Sequence, residues 1–344
     1  MKTKRALILA TSRKTRGGVT AVLKAYEQFP FWEMYKVRWI ETHIDKHKIV
    51  KYLFAIKALV QYIMCVWFYD IVHIHTSELP SVRRKYLFFK IAKLLRKKII
   101  IHLHIGNQLA EQKGNFYYKE LFEGADKIIV LSQSIRQTLI RLFGVEKKIY
   151  VINNPCPIVP SVQYSDTHKE ILFAGTLNQN KGYSVLIRAF AQIASSFPEW
   201  KLVIAGNGEL AKAKQIASEC GILDQVLFPG WVKGKLKDLL FRKASVFCLA
   251  SYAEGFPMAV LDAWSYGIPV ISTPVGGLPD VLLEGENVLF FQPGDIDGLS
   301  DKLKYLLTDA SLRLRLSEAS LCLANSKFSV SYINEQLMDL YENL

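Results

Sequence analysis

The chain has 344 residues, half of them hydrophobic and 22% charged, with a formal net charge of +13. That length suits two domains with a core each, and the apolar share excludes a disordered chain. The five cysteines (Cys65, Cys156, Cys220, Cys248 and Cys322) are scattered, odd in number and form no C-x-x-C, which argues against a disulfide framework and for a reducing compartment. The charge is uneven. Residues 1–150 hold 28 Lys and Arg against 11 Asp and Glu, a net +17, whereas residues 151–344 hold 16 against 20, a net −4. Such asymmetry implies an anionic partner for the first half only, nucleic acid or an anionic membrane surface.

Residues 1–5 are basic and lead into only about five apolar residues, a first strand and too short for a signal-peptide core. A polar loop ends in Gly17-Gly18, and a helix is predicted from Val19. Strand, glycine loop and helix is the layout of a turn that approaches phosphate, because glycine lets the backbone come close. The full G-x-G-x-x-G and the P-loop are absent.

A strand follows at residues 37–41. Residues 48–68 are apolar with interspersed Lys51, Lys57 and Gln61. Their longest uncharged run, residues 58–69, falls short of the ~20 residues of a spanning helix, so this reads as a core helix with an interfacial role open to it. Strands at residues 70–75 and 98–104 each end in His-x-His, and the two-residue period sets His73 with His75, and His102 with His104, on one face. Four imidazoles could hold a metal. No H-E-x-x-H is present and no cysteine or carboxylate stands at ligand spacing, so no metal is expected.

Between these strands, Leu87, Phe88, Ile91, Leu94 and Leu95 predict the apolar stripe of a helix whose other positions are basic: Arg83, Arg84, Lys85, Lys90, Lys93 and Arg96 to Lys98. A crossover helix with a solvated basic face explains this pattern. A basic amphipathic surface for anionic lipid explains it too, and Tyr86, Phe88 and Phe89 fit that reading. No nucleic-acid reader motif is present, so no nucleic-acid partner is expected.

Strands at 127–131 and 148–152, with a helix at 133–142, complete a first sheet. Asn153-Asn154-Pro155-Cys156-Pro157 then marks a domain boundary, giving an expected division of 1–156, 157–327 and a returning C-terminal helix, 328–344. The second half restarts with a strand at 170–174. The loop Gly175-Thr176-Leu177-Asn178-Gln179-Asn180-Lys181-Gly182 follows, then a helix from Tyr183. A lysine beside a helix start can neutralise phosphate. Residues 201–205 and Gly206-Asn207-Gly208-Glu209-Leu210-Ala211 nearly spell a dinucleotide fingerprint, but no acid lies about 20 residues on, which argues against NAD. Asp295-x-Asp297 precedes a helix and reads as its cap.

The second half is organised around residues 253–270, Ala-Glu-Gly-Phe-Pro-Met-Ala-Val-Leu-Asp-Ala-Trp-Ser-Tyr-Gly-Ile-Pro-Val. A strand at 246–250 feeds a loop carrying Glu254. Pro257 suits a helix start, Gly267 its end, and Pro269 forbids continuation. Glu254 thus precedes a helix N-terminus that suits a phosphate, and Asp262 lies more than a turn into the helix. Two carboxylates beside a phosphate site suit sugar hydroxyls.

This stretch resembles the signature of the family 4 retaining glycosyltransferases, in which Glu, seven residues, a second Glu and Ala are followed by Gly and Pro-Val. Glu254 matches the first acid, and Asp262 stands for the second, one methylene shorter. The resemblance implies the GT-B fold: α/β, two Rossmann-like domains with mostly parallel sheets facing across a cleft that holds the ligand. It implies that Glu254 contacts the donor sugar and Asp262 the ribose, and that Lys181 with Gly182 clamps the diphosphate. Thr176 replaces the family's arginine there. Gly17 and Gly18 would face the donor, and His104 would approach the transferred sugar. Gly206 would line the site, Trp231 and Val232 would cup the base, and the turn of Gly255, Phe256, Pro257 and Met258 would complete it through the backbone N–H groups of its residues other than the proline. In the loop Val275-Gly276-Gly277-Leu278-Pro279-Asp280, Asp again stands for the usual Glu.

The function so implied is metal-independent transfer, with retention, of a sugar from a nucleotide-diphosphate donor such as a UDP- or GDP-sugar to a glycan or lipid-linked acceptor. No further cofactor is expected. The location implied is cytoplasmic, peripheral on the inner face of a membrane through the basic half. The alternatives are a non-catalytic partner subunit of the same fold and a sugar-nucleotide epimerase.

Overall fold

The computed structural model describes residues 4–344. The chain divides into two compact units: Met1–Pro155 with Val330–Leu344, and Cys156–Ser329.

The first unit alternates strand and helix: β1 (Ala6–Thr11), α1 (Gly18–Tyr26), α2 (Pro30–Met34), β2 (Arg38–His43), α3 (Lys48–Cys65), β3 (Ile71–Thr76), α4 (Leu79–Leu94), β4 (Lys98–Leu103), α5 (Phe116–Gly124), β5 (Lys127–Val130), α6 (Gln133–Phe143) and β6 (Ile149–Val151). Every strand pair is parallel, in the order β2-β1-β3-β4-β5-β6. Parallel strands covered by helices read as continuous apolar runs, and Ile99, Ile100 and Ile101 are all buried for that reason.

The second unit repeats the plan with β7 (Glu170–Ala174), α7 (Tyr183–Ile193), β8 (Lys201–Ala205), α8 (Leu210–Glu219), β9 (Val226–Gly230), α9 (Gly234–Lys243), β10 (Ala244–Leu249), α10 (Met258–Ser265), β11 (Val270–Ser272), β12 (Leu289–Phe290), α11 (Ile296–Thr308) and α12 (Ala310–Asn325). Its sheet is also parallel throughout, ordered β12-β11-β10-β7-β8-β9. The strand order reverses between β7 and β10. Successive strands are laid down to opposite sides from there, so the connections leaving the two strands part to opposite faces and open a crevice at their C-terminal ends. Asp295 caps α11, its Oδ1 accepting from the Gly298 N–H at 2.9 Å, as its place before that helix predicts. The last helix, α13 (Val330–Glu342), belongs to the first unit. There Tyr341 packs on Phe31 and Tyr35, and Asn334 accepts from the Phe31 N–H at 3.3 Å.

Two helices depart from their expected faces. On α4 the buried side is Val82, Lys85, Phe88, Phe89 and Ala92, while Leu87 and Leu94 are exposed. The expected stripe and wholly solvated basic face are therefore corrected: the tight register against α5 and the sheet buries Lys85, whose ammonium finds the Ser81 hydroxyl at 3.0 Å and the His75 carbonyl. Burial and the neighbouring Arg84 push it down to about 7. The core-helix reading of residues 48–68 is also corrected. Only Ala58, Tyr62 and Cys65 of α3 are buried, because the helix lies over the edge strand β2 and, among the described residues, none covers its far side.

A loop cluster at the strand reversal as candidate active site

Lys181 and Glu254 come from the two loops that leave β7 and β10, on either side of the strand reversal in the second unit. The β7 loop closes with a 3-10 turn at Gln179–Lys181, where Asn178 Oδ1 accepts from the Lys181 N–H at 3.1 Å. Gly182 then takes φ +61°, and a methyl group there would lie 2.0 Å from the Ala250 carbonyl oxygen. That contact is possible only for glycine. It presses the β7 loop onto the end of β10. Two more bonds hold it: the Tyr252 N–H donates to the Asn180 carbonyl at 2.7 Å, and Asn180 Nδ2 donates to the Ala253 carbonyl at 2.9 Å.

In this frame the Lys181 ammonium pairs with Glu254 Oε1, and the buried Ser251 hydroxyl donates to the same oxygen at 2.7 Å. The Glu254 side chain is 12% exposed and the Lys181 side chain 26%. A third loop, after β11, reaches the pair from the other side. Gly276 has φ +61° and would place a methyl group 2.4 Å from the Gly255 carbonyl, while the Gly277 N–H donates to that carbonyl at 2.9 Å. The loop after β8 joins through Gly206, where a methyl group would meet the Gly175 carbonyl at 1.8 Å, and through Leu177 N–H donating to the Asn207 carbonyl at 2.6 Å. Glu209 in that loop accepts from the Tyr183 hydroxyl at 2.7 Å. Four loops are thus fixed to one another by backbone contacts at the C-terminal end of one sheet.

The other expected donor-site residues sit as follows. Thr176 is exposed on the β7 loop beside this cluster. Phe256 is buried against Trp264 and Phe328, so its side chain anchors the loop and only its backbone is placed for a ligand. Pro257 is the N-cap of α10 and not its first residue, and Met258, half-buried, begins the helix. The first N–H groups of α10 have no partner within the helix. Asp262 sits one turn on, paired with Lys237 of α9 at 2.6 Å. Burial raises its carboxyl, and Lys237 opposes that shift. Trp231 and Val232 follow β9 at the sheet edge, away from the Lys181–Glu254 pair, with Trp231 exposed.

Gly17, Gly18 and His104 belong to the first unit. Gly17, with φ +144°, is the N-cap of α1, and both glycines are exposed. His104 ends a ladder of four imidazoles. Register pairs His75 with His102, and the rings lie close: His73 stacks on His75 at 4.4 Å and His102 on His104 at 4.3 Å, while His75 and His102 are tilted by 33° at 4.5 Å. His73 Nδ1 meets the Tyr341 hydroxyl at 2.7 Å, and His75 Nδ1 meets His104 Nε2 at 2.9 Å. Burial and then the His104 ring push His73 down to about 3. His75 and His102 lie far below the ordinary range, chiefly through burial, and burial and Lys85 lower His104 as well. All four are neutral at pH 7. Ring nitrogens of His73, His75 and His102 lie within 4.8 Å of one another. A metal takes the lone pair in the plane of each ring, and stacked rings aim those pairs side by side and not at one point.

Sequence reasoning missed Ser251, Asn180, Glu209 and Lys237, the last three because each acts through a long-range contact that no spacing encodes. Only Ser251, three residues before Glu254, could have been found from the sequence.

Comparison with known proteins identifies the family and the fold. Residues 35–158 match the family model Glycosyltransferase Family 4, and residues 159–321 match Glycosyl transferases group 1. The chain belongs to glycosyltransferase family 4. Family members similar to it include the 2-deoxystreptamine N-acetyl-D-glucosaminyltransferase of Niallia circulans, 22% identical over 80% of this chain and 76% of that protein. Another is the lipopolysaccharide 1,6-galactosyltransferase of Escherichia coli, 30% identical over 55% of each. The match spans only 60% of two further relatives, both uncharacterised glycosyltransferases. Among solved structures, Anabaena HepE in complex with UDP has a TM-score of 0.78 at 18% identity, covering 99% of this chain and 100% of that one. The sucrose-phosphate synthase of Thermosynechococcus elongatus has 0.77 at 18%, covering 99% of each. The shared fold is GT-B.

Proposed function

We propose that this family 4 member transfers a sugar from a nucleoside-diphosphate donor to a glycan or lipid-linked acceptor, with retention and without a metal, on the cytoplasmic face of an anionic membrane. One observation carries the reading: a cation, Lys181, and a carboxylate, Glu254, are fixed side by side at the reversal point of a parallel sheet, beside the N-terminus of α10. An open α/β sheet takes its ligand at such a point. The UDP bound to HepE supports a nucleotide donor.

In this reading the bond between the anomeric carbon and the diphosphate breaks, and a bond from the acceptor oxygen forms on the same face. The acceptor proton leaves with the diphosphate. Lys181 and the first N–H groups of α10 stabilise the charge that develops on the leaving group. Both bonds to Glu254 fall on Oε1, so Oε2 is available to accept a sugar hydroxyl. Asp262 would serve the ribose from its pair with Lys237, with Gly206 lining the site and Trp231 and Val232 beside the base. His104, neutral at working pH, would act as a hydrogen-bonding dipole and not as an acid, with Nε2 held by His75 and Nδ1 left for substrate.

Thermal-shift measurements with UDP, GDP, dTDP and CDP test the nucleotide first. The corresponding radiolabelled sugar nucleotides then test transfer to membrane extracts. One base should stabilise the protein, and its sugar donor should support transfer that Glu254→Ala abolishes. A second reading, a non-catalytic partner subunit, is favoured by the neutral Thr176 on the β7 loop and by the engagement of Asp262 by Lys237. Such a subunit would be indifferent to Glu254→Ala.

A further inference from the structure

Helix α3 is apolar on two opposite sides. One side packs inward through Ala58, Tyr62 and Cys65, and the Tyr62 hydroxyl donates to the Phe88 carbonyl at 3.1 Å. The other side presents Ile49, Leu53, Ile56, Val60, Met64 and, in the 3-10 turn that continues the helix, Trp67, each between 50% and 71% exposed. Their spacing of four, three, four, four and three residues lays them in one stripe about 27 Å long. A soluble surface scatters its exposed apolar residues singly, whereas a continuous stripe marks a contact with something apolar.

We propose that α3 is the element that enters the membrane, lying in the plane of an anionic bilayer with this stripe in the acyl boundary. The proposal rests on the membrane part of the reading above and not on sugar transfer. Charge selects the occupant. Lys48 and Lys57 border the stripe, and the neighbouring α4 adds exposed Lys93 and Arg96 beside its own exposed Leu87 and Leu94. Lys97 Nζ reaches the Trp67 carbonyl at 3.4 Å, which brings the end of α4 to the end of the stripe. An apolar stripe edged by cations matches the boundary between acyl chains and anionic headgroups, where Trp67 and the exposed Tyr52 also suit the interface.

A second copy would also cover a seam with this spacing. It would, however, bring together two surfaces from a half-chain carrying net +17. Spanning is disfavoured for another reason. By length and composition residues 48–68 could cross a bilayer, but crossing would pull Tyr62 and Cys65 out of the core they help to close.

Flotation of the full chain with phosphatidylcholine vesicles, with and without phosphatidylglycerol, tests the assignment. The protein should float with the anionic vesicles, and Ile56→Glu or Met64→Glu should lower the bound fraction about tenfold or more. Both positions are exposed, so an unchanged thermal midpoint, and an unchanged shift with the nucleotide that stabilises the parent, would show an intact fold. Trp67 fluorescence, taken as the difference from Trp67→Phe, should move to the blue on binding. Flotation by Ile56→Glu equal to the parent would overturn the proposal. So would a parent dimer by light scattering that Ile56→Glu dissociates while neither protein floats, which would make the stripe a self-association seam. Nucleotide binding without flotation would remove this proposal alone. Flotation without nucleotide binding would remove the donor reading alone.

Discussion

Lys181 and Glu254 form an ion pair across the reversal point of the second sheet. Under the proposed function, a diphosphate that takes the lysine competes with Glu254 for it. This separates binding from turnover. Glu254→Gln removes the competing charge, so the nucleoside diphosphate should bind at least as tightly, while transfer falls by about 100-fold or more through loss of the sugar contact. Lys181→Ala should weaken diphosphate binding by roughly 10- to 100-fold, in line with a charge-assisted hydrogen bond. Calorimetric titration beside single-turnover rates would read the split. Equal weakening of nucleotide binding by both variants would reject it.

The geometry of the pair depends on Gly182. Its left-handed backbone and the 2.0 Å approach of the Ala250 carbonyl leave no room for a side chain. Gly182→Ala should cost about 3 kcal/mol or more, strain and displacement together, and should lower the urea midpoint. Gly221 is the control: its φ is +70° but no atom lies within 4 Å, so alanine there bears the backbone term alone, about 1 kcal/mol. Equal losses at the two positions would mean that the loop contact contributes nothing.

The imidazole ladder makes stability depend on acidity. Each of His73, His75, His102 and His104 has its folded-state pKa below the ordinary 6.5. The unfolded chain takes up protons that the folded chain refuses as the pH drops through that range. Their contribution is complete above about pH 6.5 and lost on acidification, by about 1 kcal/mol per histidine between pH 7 and 5.5. Lys85 adds a slope on the alkaline side, since its folded value of about 7 lies below the ordinary 10.5 and stability climbs as the pH rises between them. Unfolding midpoints across this range, for the parent and for His73→Phe, would test the ladder. An unchanged acid slope in the variant would count against it.

Asp262 is held by Lys237 at 2.6 Å, with both side chains partly exposed. Removing Asp262 should cost only about 1 kcal/mol, because Lys237 can return to water. If Asp262 also binds the ribose, Asp262→Ala should raise the donor KM about tenfold while Lys237→Met changes it little. A matching rise in both variants would assign Asp262 to packing α9 on α10 and not to the donor.

Much of the fold was legible because parallel strands buried on both faces must read as short apolar runs; residues 170–174 and 201–205 match β7 and β8 residue for residue. Lys181 and Glu254 could be found because each precedes a glycine in a loop that leads from a strand into a helix. The faces of α3 and α4 were not legible. Helical spacing shows that a stripe exists, not which stripe meets the sheet, so Lys85 was assigned to solvent and Leu94 to the core, the reverse of what is found. Helix α5 went unseen because Phe116-Tyr117-Tyr118 favours strand by composition, and only its packing against α4 decides the matter. The imidazole ladder needed the pairing register of β3 and β4, which one strand's sequence does not contain.

Close glycine contacts and backbone hydrogen bonds do much of the joining among the four loops of the second unit. Retuning the enzyme toward another donor is thereby confined to a few addresses. Thr176 is exposed on the β7 loop and takes no part in these contacts, so it can change size or polarity while the lysine and glutamate keep their positions. A library built on that codon would explore substrate choice, whereas one built on Gly182, Gly206 or Gly276 would mostly yield unfolded protein.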